Sequence, residues 1–105
     1  MPYSARHMTH PPTRAEVDAM ADPVLLEFGA PWCGHCQAAQ PLIEEVLQEY
    51  PEVEHLKIED GRGQPLGRSF DVKLWPTLIY LRAGAELARV VRPRDAQTLR
   101  AALQS

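Results

Sequence analysis

Cysteine is scarce in this chain: two in 105 residues, Cys33 and Cys36. A structural zinc site usually needs four ligands. Cys33, Cys36 and the intervening His35 offer at most three, and no second cysteine pair exists to complete a set unless folding happens to bring up His55. No metal site is therefore expected. Long apolar runs are missing as well. Nothing approaches the roughly 18–20 residues that span a bilayer. Residues 1–21 are broken by His7, His10, Pro11, Pro12 and several charges, so they lack the apolar stretch of a secretory signal. The expectation is a cytoplasmic protein with no membrane partner. Strong charge of one sign is absent too, since a net charge of −3 creates no field that would recruit nucleic acid. Residues 1–56 carry two Arg against nine carboxylates, and residues 57–105 carry nine Lys or Arg against five; that asymmetry reads as solvated surface. There are no internal repeats or low-complexity tracts.

What is present suits one ordinary globular domain, with 45% hydrophobic residues. Residues 1–12 contain Pro2, Pro11 and Pro12 and no periodicity, and read as a flexible arm ahead of a single domain over 13–105. Thr13, with Glu16 three residues on, predicts a capped short helix over Arg14–Ala21. Val24–Phe28 is too uniformly apolar for a half-wet strand and predicts a central one, buried on both faces. After the cysteines, Ala39, Leu42, Ile43, Val46, Leu47 and Tyr50 recur at helical spacing, with Pro41 expected to kink that helix after its first turn. Val53–Ile58 reads as a strand, and residues 59–67 as a loop with a short helix through Phe70. Thr77–Leu81 and Leu87–Val91 read as a hairpin across Ala83-Gly84-Ala85, and Asp95 as the cap of a last helix. This order predicts an α/β fold: a mixed sheet covered by helices on both faces.

The chemistry concentrates at Trp32-Cys33-Gly34-His35-Cys36, where the buried strand ends and a helix begins. Two cysteines spaced this way can close a small disulfide, and the free N–H groups of a helix start favour a thiolate at the first. An ordinary thiol, with a pKa of about 8.5, is only about 3% ionised at pH 7. Lowering a thiol's pKa by about two units raises its thiolate about 25-fold but costs about 8-fold in intrinsic nucleophilicity. The larger consequence is a better leaving group and a stabilised reduced form. A protonated His35 would push in the same direction. Glu27 is a carboxylate inside a buried strand and needs a partner. Lys57, between Leu56 and Ile58, is the candidate, and Glu27 could accept the proton Cys36 must lose.

Trp32-Cys33-Gly34-His35-Cys36 after a buried strand, Pro41 in the following helix and Trp75-Pro76-Thr77 about forty residues later resemble the thioredoxin superfamily over about residues 22–104. The resemblance implies a thioredoxin fold and a thiol–disulfide oxidoreductase. Cys33 would attack a substrate disulfide and Cys36 would resolve the mixed disulfide. Trp32, Gly34, His35, Glu27 and Lys57 would tune the cysteines, and Pro76 would be cis. Trp75, Pro76, Thr77 and Arg92 would meet an extended substrate segment. The implied cofactor is none beyond the redox-active Cys33–Cys36 pair. The implied partners are disulfide-containing proteins and a reductase or small thiol that returns electrons to a monomer.

Some residues depart from thioredoxin. His35 and Glu27 look more like a catalytic domain of protein disulfide isomerase. Gly29 replaces a common aromatic residue, and Arg92-Pro93 stands where thioredoxins carry a glycine. The family's first strand is hard to find. A cytosolic setting favours net reduction; the alternatives are an isomerase or oxidase with a more oxidising site, or a binding module docking partners at Trp75-Pro76.

Overall fold

The computed structural model describes residues 3–105. Its elements are α1 (Arg14–Asp18), β1 (Val24–Gly29), α2 (Gly34–Gln48), β2 (Glu54–Glu59), α3 (Pro65–Ser69), β3 (Thr77–Arg82), β4 (Ala85–Val91) and α4 (Ala96–Ala102). The four strands form one mixed sheet in the order β2-β1-β3-β4, with β1 and β2 parallel and the other two pairs antiparallel.

All six residues of β1 are buried, as a strand with helices on both sides must be. Strand alternation divides them. Leu25 faces α2 and α4 with Leu78 and Tyr80, against Ile43, Val46, Leu47, Leu99 and Leu103. Val24, Leu26 and Phe28 face the other way with Ile58 and Ile79, against Val17 of α1, Leu66 of α3 and Phe70. Glu27 shares the face of Leu25, so the sheet alternation alone directs its carboxylate inward.

Local chemistry sets the boundaries. Thr13 Oγ1 accepts from Glu16 N at 3.1 Å while Thr13 N donates to Glu16 Oε1 at 2.8 Å, the reciprocal box expected there. The helix is shorter than anticipated, ending at Asp18 with Ala19 as its C-cap. Thr13→Ala should cost about 1 kcal/mol, lowering the thermal midpoint by roughly 4–8 °C. An unchanged melting curve would show that the cap carries no weight. At the hairpin, Ala83 (φ 51°) and Gly84 (φ 79°) form a two-residue turn of the kind that matches strand twist, and Gly84 packs against the Asp18 carbonyl where a side chain would collide. α2 runs without a break through Pro41.

The segment before α1 departs from expectation. In place of a loose arm, residues 3–8 lie along the outer edge of β2. Met8 N donates to Lys57 O at 2.6 Å, and Met8 O accepts from Glu59 N at 3.1 Å, a parallel bridge opposite Ile58. Tyr3 stacks on His55 at 5.4 Å. The edge of β2 would otherwise present unpaired backbone groups, and the arm covers them. A single bridge at this edge is too short to leave a periodic signal in the sequence. Residues 1–2 of the expected arm lie outside the described residues.

Candidate active site

Register gathers three loops at one end of the sheet. Phe28 pairs with Thr77, and Thr77 with Val91. The turn after β1 (Ala30–Trp32), the segment before β3 (Leu74–Pro76) and the segment after β4 (Arg92–Arg94) therefore emerge side by side.

Cys33 is the N-cap of α2. Its backbone is extended (φ −84°, ψ 117°), and its half-buried Sγ accepts the Cys36 backbone N–H at 3.2 Å. A helix start leaves such donors free, and here a sulfur uses one. Cys36, one turn on, is 1% exposed. Burial pushes its thiol up to about 12, with the Cys33 hydrogen bond and the Cys33 and Glu27 charges adding to the rise against a backbone hydrogen bond from Ala30. Both cysteines are free thiols. The pair is thus asymmetric: one sulfur is reachable and supplied with a donor, the other is buried and holds its proton. Trp32 stands 69% exposed beside them. Gly34 opens α2 with free space around its Cα, so nothing packs on it.

Gly29 explains the missing aromatic residue. A Cβ there would lie 2.5 Å from Cys36 Sγ. The space is taken by the resolving sulfur, so Gly29→Ala must displace Cys36 or the strand. Overpacking of this kind costs about 1–3 kcal/mol. Chemical denaturation of the reduced protein measures it, and a stability equal to wild type would contradict the tight fit.

Glu27 is fully buried, and its partner is His55 rather than Lys57. His55 Nδ1 accepts the Ser4 backbone N–H at 2.8 Å, which leaves Nε2–H to donate to Glu27 Oε1, also at 2.8 Å. Gln40 Nε2 donates to the other oxygen, Oε2, at 2.8 Å, and to Cys36 O at 2.8 Å. Lys57 is opposite Glu27 in register, yet its Nζ donates to Gln40 Oε1 at 2.7 Å and Ala5 O at 3.1 Å. The docked arm draws the ammonium away, and Gln40 links it to the carboxylate. Burial pushes the Glu27 carboxyl up, but the hydrogen bonds from His55 and Gln40, with the Lys57 charge, outweigh it and hold the carboxyl below its ordinary range. A carboxylate so occupied is a poor proton acceptor, contrary to the role expected of Glu27. Gln40, His55 and Tyr3, which donates to Gln40 Oε1 at 2.7 Å, are site residues that sequence reading missed. The available signal was Gln40's position one helical turn beyond Cys36, on the same flank.

On the substrate side the expected residues divide. The Trp75–Pro76 peptide is cis. Pro76 and Thr77 are buried, and Thr77 Oγ1 donates to Leu74 O at 2.6 Å, so Thr77 braces the loop instead of meeting a ligand. Trp75 is half-buried, its indole N–H on Asp60 Oδ2 at 3.0 Å, with Gly67 leaving room for that carboxylate. Arg92 adopts φ 51° where a glycine would be at ease. It spans the groove, its backbone N–H on Pro76 O at 3.0 Å and its Nε on Trp75 O at 2.8 Å. His35 and Arg92 line one cavity of about 370 Å³ with Leu42 and Arg94. Among the described residues no three His, Cys, Asp or Glu side chains gather as a metal would need, and no helix is long and apolar enough to cross a membrane.

Known proteins share this arrangement. The sequence profile described as Thioredoxin matches residues 6–105. The reduced-form structure of thioredoxin 2 from Pseudomonas aeruginosa PAO1 superposes with a TM-score of 0.87 at 58% identity, covering 97% of this chain and 94% of that one. Thioredoxin of Chlamydia pneumoniae is 37% identical over 76 residues, 72% of this chain and 74% of its own length. A protein disulfide-isomerase of Datisca glomerata is 42% identical over 67 residues, 61% of this chain, but the match spans only 13% of that longer protein. With the fold, the cysteine turn and these relatives in agreement, the chain belongs to the thioredoxin family and is a thiol–disulfide oxidoreductase.

Proposed function

We propose that the chain is a protein disulfide reductase in which Cys33 attacks and Cys36 resolves. The observation that carries this reading is the asymmetry of the pair: a reachable Cys33 sulfur on a helix N-terminus against a buried Cys36 thiol pushed up to about 12. The Cys33 thiolate attacks one sulfur of a substrate disulfide, the other substrate sulfur leaves as a thiolate, and a mixed disulfide forms. Deprotonated Cys36 then attacks Cys33 Sγ, the bond to substrate breaks, and the second substrate thiolate departs. The two electrons come from the dithiol and are restored by an external reductase or small thiol, with no further cofactor called for. The test is insulin precipitation driven by dithiothreitol. Wild type should accelerate it, and Cys33→Ser should fall to the uncatalysed rate. If both match the blank, the binding-module alternative gains. A site potential near that of strong oxidants would favour the isomerase or oxidase alternative, which His35 supports.

Substrate would lie across Trp75, where the family's resemblance puts backbone pairing. Arg92 covers the Trp75 carbonyl, so an incoming segment has to displace it. Arg92→Gly removes that competing hydrogen bond, a net effect of about 1 kcal/mol. It should therefore raise kcat/KM on insulin by roughly fivefold. A fall in kcat/KM would mean that Arg92 instead assists docking.

A further inference from the structure

His7 is the arm residue whose chemistry the site leaves unused. Its Nε2 is buried and makes no hydrogen bond among the described residues. Buried polar atoms are rarely left so, and each instance calls for an explanation. The position is specific. A Cβ built on Gly29 would sit 3.9 Å from His7 Nε2 and 2.5 Å from Cys36 Sγ, so the imidazole nitrogen and the resolving sulfur both lie against the bare backbone of Gly29. His7 and Cys36 also line one cavity of about 230 Å³, together with Gln40 and Lys57.

Resting on the reductase reading above, we infer that His7 is the proton acceptor for Cys36 in the resolution step, acting at Nε2. The Cys36 proton passes to His7, the Cys36 thiolate attacks Cys33 Sγ, the Cys33–substrate S–S bond breaks as the Cys33–Cys36 bond forms, and the departing substrate thiolate takes up a proton. Electrons balance without any added reagent, because the dithiol is oxidised as the substrate is reduced.

Glu27 is a weak base for this part, since the hydrogen bonds from His55 and Gln40 stabilise it as the carboxylate. His7 is in the opposite condition. Burial, then the Lys57 charge, lowers it below its ordinary value, against Glu27 and Glu59, which raise it. The titratable groups around it are Glu27 from β1, His55, Lys57 and Glu59 from β2, and Cys36 from α2. Its ring is therefore neutral at pH 7 and can accept a proton. The mixed disulfide helps as well. Burial still holds the Cys36 thiol up, but the Cys33 hydrogen bond and charge, which raise it in the free dithiol, are gone once Cys33 is bonded to substrate. A base then has less to overcome.

The test separates the two steps with 5,5′-dithiobis(2-nitrobenzoic acid). Attack by Cys33 releases one coloured thiolate, and resolution by Cys36 releases a second. Stopped-flow traces from pH 5 to 9 give both rates for wild type, His7→Gln and His7→Ala. General-base assistance is commonly worth about 10²–10⁴-fold. With water as a substitute, the second rate at pH 7 should fall at least about tenfold in both variants, while the first changes less than about twofold. Wild type should lose its second rate as pH falls through the His7 titration; the variants should lack that inflection. Added imidazole should restore the second rate in His7→Ala. An unchanged second rate, or equal slowing of both steps, would overturn the assignment. If wild type itself releases only one equivalent, the reductase reading fails and takes this inference with it.

Discussion

Glu27→Ala will destabilise the protein by about 3–5 kcal/mol, the largest effect expected from any single substitution in the buried network. The carboxylate is fully buried and receives His55 Nε2–H and Gln40 Nε2–H, both at 2.8 Å. Truncation leaves two donors without an acceptor, each costing about 1–3 kcal/mol, and opens a cavity beneath α2. For a chain of this length the thermal midpoint should drop by more than about 10 °C. Glu27→Gln should cost less, but not nothing. Its new NH2 meets the Gln40 NH2, and turning Gln40 over would face that amide's N–H groups toward the Lys57 ammonium. pH separates charge from shape. The folded carboxyl is held below its unfolded value, so the unfolded chain binds the proton first as pH falls. The stabilisation is present in full above an ordinary carboxyl value of about 4.3 and is lost as pH falls through the lower folded value. Denaturant titrations from pH 7 to 3 should show this slope in wild type and a shallower one in Glu27→Gln. Equal slopes would remove Glu27 from the account.

The second large effect is catalytic. Cys36→Ser should stall after the first step and accumulate as a covalent adduct of Cys33 with its substrate, visible by mass spectrometry and cleared by excess dithiothreitol. Release would then depend on an external thiol. An oriented neighbouring group acts at effective concentrations many orders above the millimolar thiol of an assay. Insulin turnover should therefore fall by at least about 10³-fold. Rapid turnover with no adduct would mean that Cys36 is not the resolving group.

The comparison of sequence with structure divides by range. Features whose cause is local were legible. The Thr13–Glu16 box, the Asp95 cap on Thr98 N and the turn at Ala83-Gly84 each depend on residues within a few positions. Val24–Phe28 could be placed at the sheet centre because apolarity on both faces has few other meanings. The buried network was half legible. Register does set Lys57 against Glu27, but which side chain reaches the carboxylate depends on a third element. The arm donates Ser4 N–H to His55 and accepts from Lys57 at Ala5 O, fixing one as the partner and withdrawing the other. An arm held by one bridge and a few side chains carries no periodicity, so its docking, and with it the positions of Tyr3 and His7, could not be read from sequence. Thr77 was misplaced for a related reason. A motif names the residue beside Pro76, but only the strand's alternation turns its hydroxyl inward.

The central claim is that one sulfur of the pair is poised and its partner is not. Reduced protein treated at pH 7 with limiting iodoacetamide, followed by peptide mapping, measures this directly. A thiol held near 12 has about three and a half decades less thiolate than an ordinary one. Compensating nucleophilicity recovers about half of that on the logarithmic scale. Cys36 should therefore react about 100-fold more slowly than an exposed thiol even before burial is counted, while Cys33 should react faster than one. Label on Cys33 alone is the predicted result. Equal labelling of both cysteines, or a Cys33 no faster than a free thiol, would contradict the account.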